Sequence, residues 1–352
     1  MSEDGRRFEP RRLERLCLDA LQAMGVRPEA AARTADCLVR ANLQGVDTHG
    51  LARLPTYMRR LHQGAIDGAA QPAVVHRRGA VAVVDAGNAL GPYGAHAGME
   101  CAAGLARESG VGFAAVRRGN HFSYAGYYCE WAAAQGLVGV CSSGGEPTMA
   151  PWGGIQAFFT NSPLAVGAPT STDPFVVDLA TSVSSRGRIL LAQMLGTSIP
   201  GDWAIDARGQ ATTEPAAALA GSMLPMGGAK GYALTFALEI LNGVLGGGAL
   251  APNVGSQAAQ DGQAAGVTHF FLALDPDAFL ERAAYLARID ALIENVRKTP
   301  AADPGQPVGV PGDRRRKTAE ERSRLGIPLP GKLVDELDNA IRQYAAGART
   351  LT

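Results

Sequence analysis

The sequence predicts an α/β fold of mixed α+β character: a central mixed sheet flanked by helices, with a discontinuous helical domain drawn from both chain ends. Three observations carry that expectation. Apolar residues recur at helical spacing near both ends of the chain, and short β-branched runs alternate with alanine-rich stretches between them. Finally, neither of two G-x-G-x-x-A patterns, at residues 110–115 and 246–251, stands between a strand and a helix, so the sheet is expected to be non-Rossmann.

The first helix is expected over residues 8–24, where Leu13, Leu16, Cys17, Leu21 and Met24 share one face and Gly25 stops the pattern. A second spans 28–44, because Pro28 lacks only an N–H that a first turn leaves unpaired, and Gly45 suits the exit. A third runs from about Leu51 to Gln63. After Pro72 the texture changes, and strands are expected at 81–85, 111–116, 137–141, 164–166 and 175–178, with helices at 96–109 and 125–135. Helices return at 186–195, 231–245 and 276–294, with a strand at 269–274. Residues 297–313 read as a loop. Thr318 and Glu321 form a capping-box pair ahead of a closing helix marked by Leu333, Leu337, Ile341 and Tyr344. The expected division is a helical domain from 1–75 with 300–352, and a central α/β region over 76–299.

With 352 residues the chain exceeds what one core usually encloses. Lysine plus arginine and aspartate plus glutamate both number 33, so no global field draws nucleic acid or an anionic membrane. The basic run 314–317 reads as a solvated helix approach. The first twelve residues are polar and lack the apolar stretch of a secretory signal, which predicts a cytoplasmic protein. The most apolar stretch, 233–251, carries Glu239, Asn242 and consecutive glycines and fits a buried core helix better than a membrane span. Five widely spaced cysteines without C-x-x-C suit buried thiols in a reducing compartment, and the histidines show no metal-ligand spacing, so no metal is expected.

Two histidine-bearing segments stand out, residues 45–55 and 119–128. Each sets a histidine beside glycine and a small hydroxyl residue where regular structure gives way to a loop, and Arg53 follows His49 by one helical turn. An imidazole changes charge near working pH, and a guanidinium presents paired donors in one plane, so this is a proton donor beside a carboxylate fork. Glycine-rich loops at 142–145, 151–154 and 227–231 expose backbone N–H groups suited to a pyrophosphate. Lys230, read as a half-buried lysine heading an apolar helix, calls for an anionic partner.

These motifs, together with Thr160-Asn161-Ser162-Pro163, Arg186-Gly187-Arg188-Ile189 and Pro311-Gly312-Asp313, resemble the malate/L-lactate dehydrogenase family of non-Rossmann NAD(P)-dependent oxidoreductases over nearly the whole chain. The resemblance implies a homodimer and hydride transfer between NAD or NADP and C2 of a small 2-hydroxy or 2-oxo acid. It makes His49 the proton donor with Thr48 and Asp178 in support, places His121 at the reacting centre, and gives the substrate carboxylate to Arg53, with Ser143 beside it. Cofactor contacts fall on Ser123, Asn161, Asp178, Leu179, Ala180, Thr181, Ser182, Arg186, Ala229, Lys230, Pro311, Gly312 and Asp313, and 76–299 becomes the cofactor-binding region.

Thr48 stands where serine is usual and Asp313 where glutamate is usual, while residues 144–149 depart from the family pattern and bear on the substrate. Between His49 and His121 the residues leave the proton donor open. A cyclic 2-imino acid is the alternative substrate class. A catalytically inactive cofactor-binding protein is the reading from outside enzymology, against which stand both histidines and Arg53. No G-x-S-x-G elbow supports a hydrolase.

Overall fold

A computed structural model describes residues 5–352. Strand β1 (Arg6–Phe8) leads into helices α1 (Pro10–Ala23) and α2 (Pro28–Leu43), and two 3-10 turns (Asp47–His49 and Leu51–Arg53) carry the chain into α3 (Leu54–His62). The middle of the chain supplies β2 (Ala73–Arg78), β3 (Val81–Asp85), α4 (Gly91–Ser109), β4 (Val111–Gly119), α5 (Gly126–Ala134), β5 (Val138–Ser143), β6 (Leu164–Ala168) and β7 (Phe175–Leu179). Next come α6 (Arg186–Leu195), β8 (Ala204–Ile205), α7 (Pro215–Ala220), β9 (Ser222–Met223), α8 (Ala229–Glu239) and β10 (Val267–Leu274). The chain ends with α9 (Arg282–Arg297), α10 (Asp313–Leu325), β11 (Ile327–Leu329) and α11 (Gly331–Tyr344).

Seven strands form the central sheet in the order β2-β3-β4-β10-β5-β6-β7. Only β3 and β4 run parallel, so the sheet is mixed as expected. The central strand β10, Val-Thr-His-Phe-Phe-Leu-Ala-Leu, is almost wholly buried and sets His269 opposite Val116 of β4 and Ser143 of β5. Helix α4 covers one face so closely that a Cβ on Gly98 would lie 2.5 Å from Val116 and 2.6 Å from Phe271. The turn after α8 covers the other face, where Asn242 donates to Ser142 Oγ at 3.0 Å and accepts from the Phe270 amide at 3.1 Å.

The chain ends meet through β1 and β11, which pair Phe8 with Ile327. Leu13, Leu21, Leu38 and Leu54 from the start of the chain share a core with Ile327, Leu337 and Ile341 from its end. Full burial of each such side chain contributes roughly 1.5–3 kcal/mol, which holds α3 and the turns ahead of it against α11.

Several expectations need correction. The capping box does not exist: α10 begins at Asp313, and Thr318 lies inside it, its hydroxyl donating back to the Arg314 carbonyl at 2.9 Å. The basic run 314–317 is therefore helical, and Arg315 turns inward to an ion pair. Strand β2 escaped notice because an edge strand exposed at every residue shows no alternation. Residues 276–278 form a 3-10 turn, and α9 starts only at Arg282. The apolar stretch 233–251 is not a buried helix, since Phe236, Ile240, Val244 and Leu245 are 41–54% exposed. No helix among the described residues is long and apolar enough to cross a membrane.

Candidate active site

The first histidine segment is a pair of tight turns fixed from two directions. Asn42, near the end of α2, donates to Asp47 Oδ1 at 2.7 Å and accepts from the Leu51 amide at 2.8 Å. Arg322 of α10 grips the same carboxylate with both terminal nitrogens, at 2.6 and 3.1 Å. Gly50 is required here because a Cβ would stand 2.1 Å from Asn42 Oδ1. The turn so held presents Thr48 Oγ1 to His49 Nδ1 at 2.9 Å, and Arg53 anchors itself by donating Nε–H to the Thr48 carbonyl at 2.7 Å. Both terminal nitrogens of Arg53 are left without a carboxylate among the described residues.

The second segment leaves β4 and brings His121 against His49, ring centroids 5.7 Å apart and planes 24° from parallel. Tyr57 of α3 places its hydroxyl 2.8 Å from His121 Nδ1. Ser123 is buried, and its hydroxyl donates to the His49 carbonyl at 2.7 Å. Burial holds the His49 pKa down to about 3, assisted by the positive charges of Arg53 and Arg315. Burial likewise holds His121 well below its ordinary range, with Arg53, His49 and His269 adding to the effect. The site thus offers two uncharged imidazoles beside one guanidinium whose terminal nitrogens are not paired to a carboxylate among the described residues.

Asp178, at the end of β7, does not reach Thr48 or His49 as a hydrogen-bonded third member. Its Oδ2 accepts from the Gly126 amide at 3.0 Å and from Arg315 Nη1 at 3.1 Å. A Cβ on Gly126 would fall 2.9 Å from that guanidinium, so glycine lets α5 start against the pair. Arg315 also lies over the Tyr124 ring, 6.0 Å from its centroid.

The segments assigned to a dinucleotide converge around β7 and the starts of two helices. The Asn161 carbonyl accepts the Thr181 amide at 3.0 Å, and the Met226 amide donates to the Thr181 carbonyl at 2.8 Å. Thr181 and Ser182 are buried and internally bonded, while Leu179 and Arg186 are exposed and Ala180 half-buried. Helix α6 starts beside the first histidine turn, with a Cβ on Gly187 only 3.3 Å from Thr48 Cγ2. Ala229 and Lys230 head α8 in the open. Lys230 is thus solvated and needs no partner, contrary to expectation. Gly312 and Asp313 line a cavity of about 750 Å³ with Phe175, Val176, Arg297 and Arg315. Neither imidazole lines it; Arg315, paired to Asp178, is its wall on the side of the histidines.

Ser143 is buried at the end of β5, donating to the Gly144 carbonyl at 2.7 Å and lying 2.8 Å from His269 Nδ1. His269 has no exposed surface and stacks on Phe122, centroids 4.8 Å apart. Burial lowers its pKa from 6.5 to about 3. An unfolded chain restores the ordinary value, so below 6.5 the unfolded state takes the proton first. Stability is full above that pH and declines as pH falls toward 3, at about 1.4 kcal/mol per pH unit for this one group. Urea unfolding at a series of pH values checks the slope, which His269→Asn reduces; an unchanged slope in the variant contradicts the assignment.

Sequence reasoning singled out His49, Arg53 and His121, which the structure brings together, and Thr48, which lies beside His49. It missed Tyr57, His269, Arg315 and Arg322. Tyr57 lay within reach of inspection, one helical turn past Arg53 on the same face.

Residues 8–338 match the family model described as malate/L-lactate dehydrogenase. The chain is 38% identical over 336 residues to the (2R)-3-sulfolactate dehydrogenase (NADP(+)) of Chromohalobacter salexigens, covering 95% of this chain and 97% of that one. It is 36% identical over 326 residues to the Delta(1)-pyrroline-2-carboxylate reductase of Ancylobacter novellus, covering 92% and 94%. Among solved structures, sulfolactate dehydrogenase from Methanocaldococcus jannaschii superposes with a TM-score of 0.90 at 32% identity, over 96% of this chain and 97% of that one.

Proposed function

This chain belongs to the malate/L-lactate dehydrogenase family of oxidoreductases, and we propose that it exchanges hydride between a nicotinamide cofactor and C2 of a small 2-hydroxy or 2-oxo acid. One observation carries the reading: the Arg53 guanidinium, anchored only through Nε, opens its remaining fork beside two uncharged imidazoles. A planar fork fits a carboxylate, and a carboxylate held there sets its neighbouring carbon and oxygen against the imidazoles.

Binding the carboxylate has a second effect. It offsets the Arg53 charge that depresses His49, so His49 takes up a proton more readily once substrate is seated. It then delivers that proton to the oxygen on C2, or to the nitrogen of a cyclic 2-imino acid. The imine reading is supported by the 36% identical pyrroline-2-carboxylate reductase and by the common need for a carboxylate beside the reduced carbon.

The exposed helix starts at Arg186 and Ala229 and the loop at Pro311, Gly312 and Asp313 have the donors and open space a dinucleotide needs, and of the chain from Asp178 to Ser182 the exposed Leu179 and half-buried Ala180 are the part it would reach. When bound, the nicotinamide supplies or accepts the hydride. Asp313 suits ribose hydroxyls, and Arg297 and Arg316, which pair with it at 2.8 and 3.2 Å, suit a ribose phosphate, so both NAD and NADP belong to the proposal. Residues 1–75 and 300–352 are proposed as one unit presenting Arg53 to the cofactor-binding region 76–299.

A cytoplasmic homodimer completes the reading. The five cysteines of the chain are free thiols, the state a reducing cytosol preserves. Leu190, Leu191, Met194 and Leu195 of α6 are 43–67% exposed, an apolar face that supports burial against a second copy. Sedimentation of wild type and Met194→Glu tests this, with a two-chain mass expected only for the former. Function is tested by following reduced-nicotinamide absorbance with NADH or NADPH and a panel of 2-oxo acids and cyclic imines. Consumption that depends on the acid is expected; cofactor binding without turnover of any of them overturns the enzymatic reading.

A further inference from the structure

His121 meets two donors at one ring nitrogen. Tyr57 Oη lies 2.8 Å from Nδ1, and the Ser123 amide points at the same atom from 3.4 Å. The tyrosine hydroxyl has a second acceptor, the His121 carbonyl at 3.1 Å, so alone it leaves the tautomer undecided. The amide hydrogen is fixed and decides it, since a proton on Nδ1 would face the N–H head on. Ser123 adopts φ +71°, a left-handed conformation that is strained for a serine. That conformation turns its amide toward His121 while its hydroxyl holds the His49 carbonyl at 2.7 Å.

We infer that Tyr57 and Ser123 are positioning residues that lock His121 as the tautomer bearing its proton on Nε2, so that His121 acts as a permanent hydrogen-bond donor to the oxygen or nitrogen on C2 while His49 carries the transferred proton. The inference rests on the proposed function for its chemistry but not for its geometry. Thr48 Oγ1, the hydroxyl beside His49 Nδ1, both donates and accepts, so His49 keeps the freedom to gain and lose a proton that His121 lacks. Burial also keeps the Tyr57 hydroxyl protonated far above neutral pH, which preserves it as a donor.

The direct test is two-bond ¹H–¹⁵N correlation on the full chain labelled at histidine, with His121 assigned by loss of its signals in His121→Asn. At neutral pH the expected pattern is a lone-pair nitrogen at Nδ1 and a protonated one at Nε2. A proton on Nδ1 overturns the inference whatever the activity. Tyr57→Phe leaves the amide in place, so the pattern is expected to stay protonated at Nε2, while loss of one of the two donors holding the ring lowers kcat for reduction by about 10-fold, the size of one hydrogen bond, with KM for the acid little changed. Ser123→Ala keeps the amide and therefore keeps the wild-type pattern. If the pattern holds and no acid or imine is reduced, the functional reading fails while the tautomer stands; if reduction proceeds with a proton on Nδ1, the opposite follows.

Discussion

Replacing His49 by asparagine lowers kcat for 2-oxo acid reduction by ~10²–10⁴-fold, the range general acid catalysis supplies. Asparagine retains polarity at Thr48 Oγ1 and leaves the main chain free to accept from Ser123, so the turn is preserved and only the titrating group is lost. Because Arg53 anchors the acid, KM changes far less than kcat. Steady-state kinetics separate the two, and a variant that keeps wild-type kcat shows that the proton comes from elsewhere. The pH profile has a definite sign. Reduction needs His49 protonated, and burial with the Arg53 charge holds its pKa in the free enzyme below the ordinary value. Reductive kcat/KM therefore falls tenfold per pH unit across the neutral range, while oxidation, which needs the neutral ring, runs flat there.

Local chemistry was legible in the sequence where it was contiguous. His49, Arg53 and His121 stand out because their neighbours in sequence, Thr48, Gly50, Asn120 and Ser123, are the residues a tight functional loop needs. What fixes those loops was not legible, because the partners lie far along the chain. Arg322 reaches back 275 residues to Asp47, Arg315 137 residues to Asp178, and His269 126 residues to Ser143. No periodicity encodes such pairings. The same limit governs the sheet, where β10 enters between β4 and β5, a placement that the apolar run at 267–274 does not specify.

Two readings of charge also failed for one reason. Lys230 was expected to need a partner and is solvated, whereas the run at 314–317 was expected to be solvated and contains Arg315, turned onto Asp178. Local composition says that a helix is amphipathic, but only the fold says which face another element covers.

Arg53→Gln is expected to lower kcat/KM by roughly 10²–10³-fold, mostly through KM. Charge-assisted hydrogen bonds are worth about 1.5–3 kcal/mol each, and losing a bidentate pair costs about 3–4 kcal/mol at some 1.4 kcal/mol per factor of ten. Arg53→Lys keeps the charge without the fork and recovers only part of the loss. The fork also acts on the imidazoles, since its charge is among the causes that depress both His49 and His121. Removing it lets their pKa values rise toward 6.5, so the glutamine variant stays protonated to higher pH than wild type. The two effects have opposite signs. At a single pH the variant is simply weak, but the ratio of its reductive kcat/KM to that of wild type climbs as pH rises from about 3 toward 6.5, then levels once both enzymes are deprotonated, so that it is flat across the neutral range. A ratio independent of pH means that Arg53 binds the acid without tuning the imidazole. A ratio that falls with pH contradicts the sign of the electrostatic coupling, and with it the account of why a half-buried histidine, uncharged at rest, is able to serve as an acid only when a carboxylate is in place.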